Sequence, residues 1–328
     1  MTLPDVSQAL HPDVARAVFE TIMDGGADDG DLARFLSGLA KRGETVDEIA
    51  AAAGALRERA LTIVAPEGAI DVCGTGGDGK HSFNVSTAVA IVVAACGVPV
   101  AKHGNRAASS RSGTADVLAR LGVDIEAAAE TVERSLHEIG IGFLFAARHH
   151  GALARVAAVR RALGTRTIFN LLGPLANPAG VTRQLIGVPG ERWVRPIAEA
   201  LGRLGCERAM VVHGSDGLDE ITVTGPSRVA VLGSGTTEVV SVGPGDAGLA
   251  VHDEAGLTGG DPDTNAAALR ALLDGAAGAY RDIVLINAAA ALQIADRATD
   301  WRGGAALAAG AIDSGAAKDL LARWAAFR

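Results

Sequence analysis

The stretch Ala69-Ile70-Asp71-Val72-Cys73-Gly74-Thr75-Gly76-Gly77-Asp78-Gly79, continued by Lys80-His81-Ser82-Phe83-Asn84-Val85-Ser86-Thr87, decides how the rest of the chain is read. A short apolar run feeds a loop with four glycines in six residues, and an apolar segment of helical character follows. A glycine-rich turn between strand and helix lets backbone N–H groups approach a ligand, and the helix N-terminus adds partial positive charge. Such a turn suits a phosphate or pyrophosphate. Gly74, Gly76 and Gly79 also satisfy the pattern G-x-G-x-x-G. A dinucleotide fold, however, places an acidic residue about 20 positions further on, where this chain has Val98-Pro99-Val100. Asp78 inside the loop would repel a pyrophosphate unless a cation stood between them, so the dinucleotide reading is set aside. Asn84, Ser86 and Thr87 offer hydrogen bonds to sugar hydroxyls and phosphate oxygens; helix capping by Asn84 or Ser86 is the plain alternative.

The chain has 328 residues, enough for one large domain and a smaller one. With 48% hydrophobic and 21% charged residues it is globular in composition. Only 3% aromatics and a formal charge of −8 argue against a nucleic-acid partner. Cys73, Cys96 and Cys206 lie far apart without C-x-x-C spacing, which fits a reducing compartment and neither a zinc site nor a disulfide framework. Met1-Thr2-Leu3-Pro4-Asp5 has no signal pattern, and the longest apolar run, Ala88 to Ala101, is broken by Gly97 and Pro99. No membrane partner is expected, and a cytoplasmic location is.

Residues up to about Ile63 read as helices. Pro12 opens the first, with Val14, Val18, Phe19 and Ile22 on one face. Asp28, Asp29 and Asp31 start a second, carrying Leu32, Phe35, Leu36 and Leu39. Thr45 and Glu48 form a capping box for a third. From Ala69 the pattern alternates: strands at Ala69–Cys73, Val98–Lys102, Gly142–Phe145 and Arg208–Val212 are separated by helices. Alternation of this kind predicts an α/β fold with a mainly parallel sheet. Glu220–Val223, Arg228–Leu232 and Glu238–Val242 read as an antiparallel extension, and helices close the chain from Asn265 onward.

The unusual residues follow the strands. Gly74–Asp78 follows the first, Lys102-His103-Gly104-Asn105-Arg106 the second, Phe145–His150 the third, and His213–Glu220 the fourth. In a parallel sheet these loops share one carboxyl edge, where open α/β sheets bind ligands. Lys102 and Arg106 supply charge for phosphate, and Ser109, Ser110 and Thr114 supply donors near a helix start; a solvated basic loop is the bland alternative. Asp219-Glu220, with Asp216, is an acidic cluster suited to Mg²⁺, which takes few protein ligands besides phosphate and water. One of Arg160 and Arg161 at the cleft would clamp a carboxylate. No G-x-S-x-G elbow or histidine metal spacing is present, so covalent catalysis is not indicated.

The runs G-T-G-G-D, F-N-V-S-T, K-H-G-N-R, S-S-x-S-G-T-A-D, V-R-R-x-L-G-x-R-T-I-F-N-L-L-G-P-L-x-N-P and G-x-D-E, in this order, resemble the anthranilate phosphoribosyltransferase family. The resemblance extends from Lys41-Arg42-Gly43-Glu44-Thr45 to Ile312-Asp313-Ser314-Gly315. It implies a homodimer joined through a small helical domain (residues 1–65, with a returning segment near 160–180) and an α/β catalytic domain (66–328) of the nucleoside-phosphorylase-like fold. It implies that phosphoribosyl pyrophosphate meets Gly74, Gly77, Asp78, Ser82, Asn84, Val85, Ser86, Thr87, Lys102, His103, Gly104, Asn105, Arg106, Ala107, Ala108, Ser109, Ser110 and Thr114. Mg²⁺ is then held by Ser86, Asp219 and Glu220, and anthranilate by Gly74, Asn105 and Arg160. Lys102, Asp219 and Glu220 carry the catalytic roles. A pyrimidine-nucleoside phosphorylase of the same fold is disfavoured by Phe83-Asn84 and Asp219-Glu220, and a nucleic-acid-binding relative by the acidic charge. The family's F-A-P-x-x-H-P-A reads Phe145-Ala146-Ala147-Arg148-His149-His150-Gly151-Ala152 here, so this chain departs from its relatives on the acceptor side.

Overall fold

A seven-stranded sheet runs in the order β3-β2-β1-β4-β5-β6-β7. The computed structural model describes residues 2–107 and 111–328. The strands are β1 (Ile70–Gly74), β2 (Val100–Gly104), β3 (Ile141–Phe145), β4 (Arg183–Gly187), β5 (Arg208–Gly214), β6 (Ser227–Gly233) and β7 (Thr236–Val242). The first five pair in parallel, and β6 and β7 extend the sheet antiparallel. Strand β4 is absent from the sequence expectation. It is only five residues long, and Arg183 and Gln184 at its start hide it from a search for apolar runs. Its insertion matters: the chain winds outward from β1 through β2 to β3, then returns to the opposite side of β1. The β1–β4 junction is therefore the topological switch point, where a crevice opens at the carboxyl edge.

Glu220–Val223 is not a strand. The Ile221 backbone is held instead by a buried side chain: Ile221 N donates to Asn287 Oδ1 at 3.0 Å, and Asn287 Nδ2 donates back to the Ile221 carbonyl at 2.8 Å. The Thr222 N–H goes to Ser227 Oγ. An amide and a hydroxyl have taken the place of a strand neighbour, which no local pattern signals.

Helices cover both faces because the strands bury alternate residues on opposite sides. Val72, Leu185 and Val212 join one core with α4 (Val85–Ala95) and the four C-terminal helices, Pro262–Leu273, Ala279–Ile294, Trp301–Asp313 and Ala316–Ala326. Buried from Thr87 to Ala94, α4 is apolar all round because it is sandwiched between the sheet and those helices. Cys73, Ile186 and Val211 join the opposite core with the N-terminal helices.

Those helices are α1 (Pro12–Met23), α2 (Asp29–Arg42) and α3 (Val46–Arg57). Val18, Phe19 and Ile22 are buried as expected, whereas Val14 stays 44% exposed. Asp28 caps α2, and the Thr45–Glu48 box caps α3. Glu48 is fully buried because it also accepts from Leu10 N and the Arg42 guanidinium. The mid-chain helix Leu153–Leu163 packs on α1 and α2, so the segment that follows β3 leaves the sheet and meets the N-terminal helices. Among the described residues, no helix is long and apolar enough to cross a membrane.

Candidate active site

The ends of β1 and β4 are paired glycines, Gly74 and Gly187. Both are needed because Asp219 lies over them. A Cβ on Gly74 would stand 2.5 Å from Asp219 Oδ2, and one on Gly187 only 1.7 Å from the Asp219 carbonyl oxygen. Asp219 Oδ2 accepts the Gly76 N–H at 3.1 Å, which links the glycine loop to the acidic turn. Burial and the neighbouring Asp78 push the Asp219 carboxyl up to about 7. Burial, followed by Asp219, holds the Glu220 carboxyl well above its usual range. Asp78 Oδ1 accepts from Lys80 N, while its buried Oδ2 has no hydrogen-bond partner among the described residues. Clustered carboxylates that resist ionisation are what a cation site looks like before the cation arrives.

Among the described residues, no three His, Cys, Asp or Glu side chains converge tightly enough to cage a metal alone. That agrees with Mg²⁺, which uses one or two carboxylates and completes its shell with phosphate oxygens and water. The all-oxygen set Ser86, Asp219 and Glu220 fits such an ion.

Lys102 projects from β2 into the floor of this site and is fully buried. Its Nζ donates to the Val72 carbonyl at 2.6 Å and to Ser86 Oγ at 3.2 Å, so its charge reaches the cleft through the Ser86 hydroxyl. Burial lowers its pKa, and the charge of Asp71 offsets that only in part. Asp71 is itself fully buried and accepts from His103 N, Asn177 Nδ2 and Cys73 Sγ.

The first turn of α4 lies alongside. Asn84 occupies the N-cap position but makes no side-chain cap. Its Oδ1 accepts instead from Asn265 Nδ2 at 2.8 Å and Ser112 Oγ at 3.4 Å, and Tyr280 OH donates to its carbonyl at 3.3 Å. Phe83 stacks on Tyr280, and Ser82 bridges to Thr258, so the C-terminal part of the chain supports the donor-side turn. Thr87 and Thr114, at the starts of α4 and α5 (Thr114–Leu121), bring their hydroxyls to 3.5 Å. Gly104 admits Thr114 closely, since a Cβ there would lie 3.2 Å from that side chain. The Arg106 guanidinium is engaged by Asp116 and lies near the Phe145 ring. The Ala107 and Gly113 N–H groups share Asp116 Oδ2. Ala108, Ser109 and Ser110 lie outside the described residues.

On the far side, Arg160 sits over the Phe169 ring at 5.6 Å, half-buried and without an ion pair among the described residues; burial lowers its pKa. Here the structure separates Arg160 from the exposed Arg161. His103 and His150 meet edge to face at 5.1 Å. Burial pushes them down to about 3 and about 4, and both stay neutral. Gly151 has open space around its Cα, so the missing prolines leave room at this turn.

Comparison with known proteins gives the architecture a family. The family description "Glycosyl transferase family, a/b domain" matches residues 66–318, and its helical bundle domain matches residues 6–60. Anthranilate phosphoribosyltransferase from Rhodospirillum rubrum is 61% identical over 95% of this chain and 89% of its own. The chain belongs to the anthranilate phosphoribosyltransferase family. The anthranilate phosphoribosyltransferase of Thermus thermophilus superposes with a TM-score of 0.93 at 45% identity, covering 98% of this chain and 97% of that one. The yeast anthranilate phosphoribosyltransferase, solved in complex with PRPP and Mg, has a TM-score of 0.86 at 28% identity, covering 96% and 92%. Two residues that hold this family's architecture together here escaped the sequence reading. Asn287 braces the acidic turn, and Arg166 donates to the Gly76 and Gly77 carbonyls. Neither neighbours its target in sequence: Arg166 stands inside the quoted V-R-R-x-L-G-x-R-T-I-F-N run with no role read for it, and Asn287 stands outside the quoted runs.

Proposed function

We propose that this protein transfers the 5-phosphoribosyl group of phosphoribosyl pyrophosphate to the amine of anthranilate, giving N-(5-phosphoribosyl)anthranilate and pyrophosphate. The observation that carries the reading is Asp219 over the paired glycines at the sheet's switch point, joined to the donor loop through Gly76. The close relatives of that activity support it.

The donor lies across the first turn of α4, the β2 loop and the glycine loop, held by Gly77, Asn84, Ser86, Thr87, Asn105 and their neighbours. Ser86, Asp219 and Glu220, together with the donor, would hold Mg²⁺, which would supply the positive charge that makes the diphosphate a better leaving group. The aryl amine is already a neutral nucleophile, so the residues need supply no strong base. Departure of pyrophosphate leaves positive character on the anomeric carbon and adds negative charge to the diphosphate. Lys102, acting through Ser86, and the N-terminus of α4 are preorganised for that added charge. Arg160, free of any carboxylate among the described residues, takes the anthranilate carboxylate, with Gly74 and Asn105 beside the ring. Neutral His103 and His150 wall the acceptor side without competing for that charge. Holding amine and anomeric carbon together accelerates attack, and excluding water protects the donor from hydrolysis.

The test is loss of anthranilate fluorescence on mixing the protein with Mg²⁺, phosphoribosyl pyrophosphate and anthranilate. Consumption is expected, and chelating the metal should stop it; no consumption under any metal condition overturns the reading. In the same assay Arg160→Ala should raise the anthranilate KM about tenfold or more, the loss of a charge-assisted pair, and leave the donor KM nearly unchanged. Equal effects on both substrates would remove Arg160 from the acceptor role.

The functional unit proposed is a homodimer joined through the helical domain of residues 1–65, where Val14, Leu61 and Val64 are the exposed large hydrophobic side chains. Sedimentation equilibrium is expected to give twice the 33.1 kDa chain mass. A monomer at micromolar concentration would dismiss this part.

A further inference from the structure

We propose that Arg166 is a positioning residue that clasps the donor loop to the acceptor side of the cleft. The proposal rests on the phosphoribosyl-transfer reading above. Arg166 Nη1 donates to the Gly77 carbonyl at 2.8 Å, and Nη2 donates to the Gly76 carbonyl at 3.3 Å. A Cβ on Gly77 would stand 2.3 Å from Nη1, so the guanidinium occupies the space a side chain would need. Both glycines hold left-handed conformations, with φ of 65° and 78°. Gly76 is also the residue whose N–H reaches Asp219 Oδ2 at 3.1 Å. One glycine thus joins the clasp to the carboxylate of the metal site.

The other end of the loop is anchored to the sheet, since Thr75 N donates to the Gly187 carbonyl at 2.9 Å. Between these anchors a run of glycines has little conformational preference of its own. Arg166 makes no ion pair among the described residues; the two carbonyls are its hydrogen-bond partners, and the nearby charges of Asp219 and Asp78 also attract it. It follows Arg160 just past the left-handed turn at Gly164. A single segment therefore carries both the guanidinium offered to the acceptor and the one that shapes the donor loop. Charge-assisted bonds to two carbonyls keep the loop amides oriented before the diphosphate arrives, which lowers the ordering cost of donor binding.

The test compares full-length Arg166→Ala, Arg166→Lys and, as an equally exposed neighbour on the preceding helix, Arg161→Ala. Hydrogen exchange across residues 74–82 is read without ligand, and the KM of each substrate is measured separately. Arg166→Ala is expected to speed exchange in that peptide alone, by roughly tenfold, the effect of losing a charge-assisted hydrogen bond. It should also raise the donor KM by a similar factor and move the anthranilate KM by less than about twofold. Lysine keeps the charge and one donor, so Arg166→Lys should fall between alanine and wild type, and Arg161→Ala should match wild type. Unchanged exchange with an unchanged donor KM overturns the clasp. So does faster exchange throughout the chain, because the arginine is then merely structural. If the wild-type protein transfers nothing from phosphoribosyl pyrophosphate to anthranilate, the functional reading fails on its own, and the exchange measurement alone decides whether the clasp exists.

Discussion

A Cβ on Gly187 would lie 1.7 Å from the Asp219 carbonyl oxygen, closer than any non-bonded pair tolerates. Gly187→Ala must therefore displace the acidic turn or the end of β4. Overpacking of this kind costs about 1–3 kcal/mol, and here the strain falls on the backbone of the proposed metal site. We expect Gly187→Ala to remain folded, with a lower Tm, and to lose most Mg²⁺-dependent turnover. Gly233→Ala, at a strand end with open space around it, is the control and should leave both unchanged. A Gly187→Ala enzyme with wild-type metal dependence would show that Asp219 can shift without consequence. Residue identity alone could not foretell this requirement, because Gly187 lies outside the glycine-rich loop in sequence and meets Asp219 only across the sheet edge.

Strand β2 and the short helix Ala146–His149 that follows β3 bring His103 and His150 together out of water. His150 is 4% exposed, and its burial, with His149 nearby, opposes protonation in the folded state until about pH 4. The unfolded chain takes up that proton near its ordinary value of 6.5. Between pH 6.5 and about 4 the unfolded state therefore binds more protons, and stability falls as the pH falls through that window. Each such group contributes a slope of up to about 1.4 kcal/mol per pH unit. His150→Leu should flatten the acid limb of a plot of urea midpoint against pH, and an unaltered limb would mean that the imidazole is already charged in the folded protein. The helices were the easier elements to read, since Asp28, Thr45 and Glu48 advertise their starts within a single turn. Strand β4 and the false strand at Glu220–Val223 were misjudged for one reason: pairing partners decide strand status, and those partners are distant in sequence.

Across the whole molecule, two apolar cores face each other through the sheet, and the N-terminal helices share theirs with the segment that follows β3. This return brings Arg166 to the glycine loop and sets Arg160 over the Phe169 ring. By itself the sequence determined the class of fold, the helical start and the glycine-rich Gly74–Gly79 loop, and it supplied the residue types on which the proposed metal and carboxylate contacts rest. Each of these is written in local spacing: alternating strand and helix periods, capping pairs, and glycines where backbone must approach a ligand. Only the tertiary structure decided that Gly74 and Gly187 stand side by side beneath Asp219, that Lys102 acts from below Ser86, that Arg160 rather than Arg161 is the half-buried guanidinium, and that Asn287 and Arg166 brace the two loops. Those relations depend on strand order and register, which bring together residues separated by as many as 143 positions through contacts that no local preference encodes.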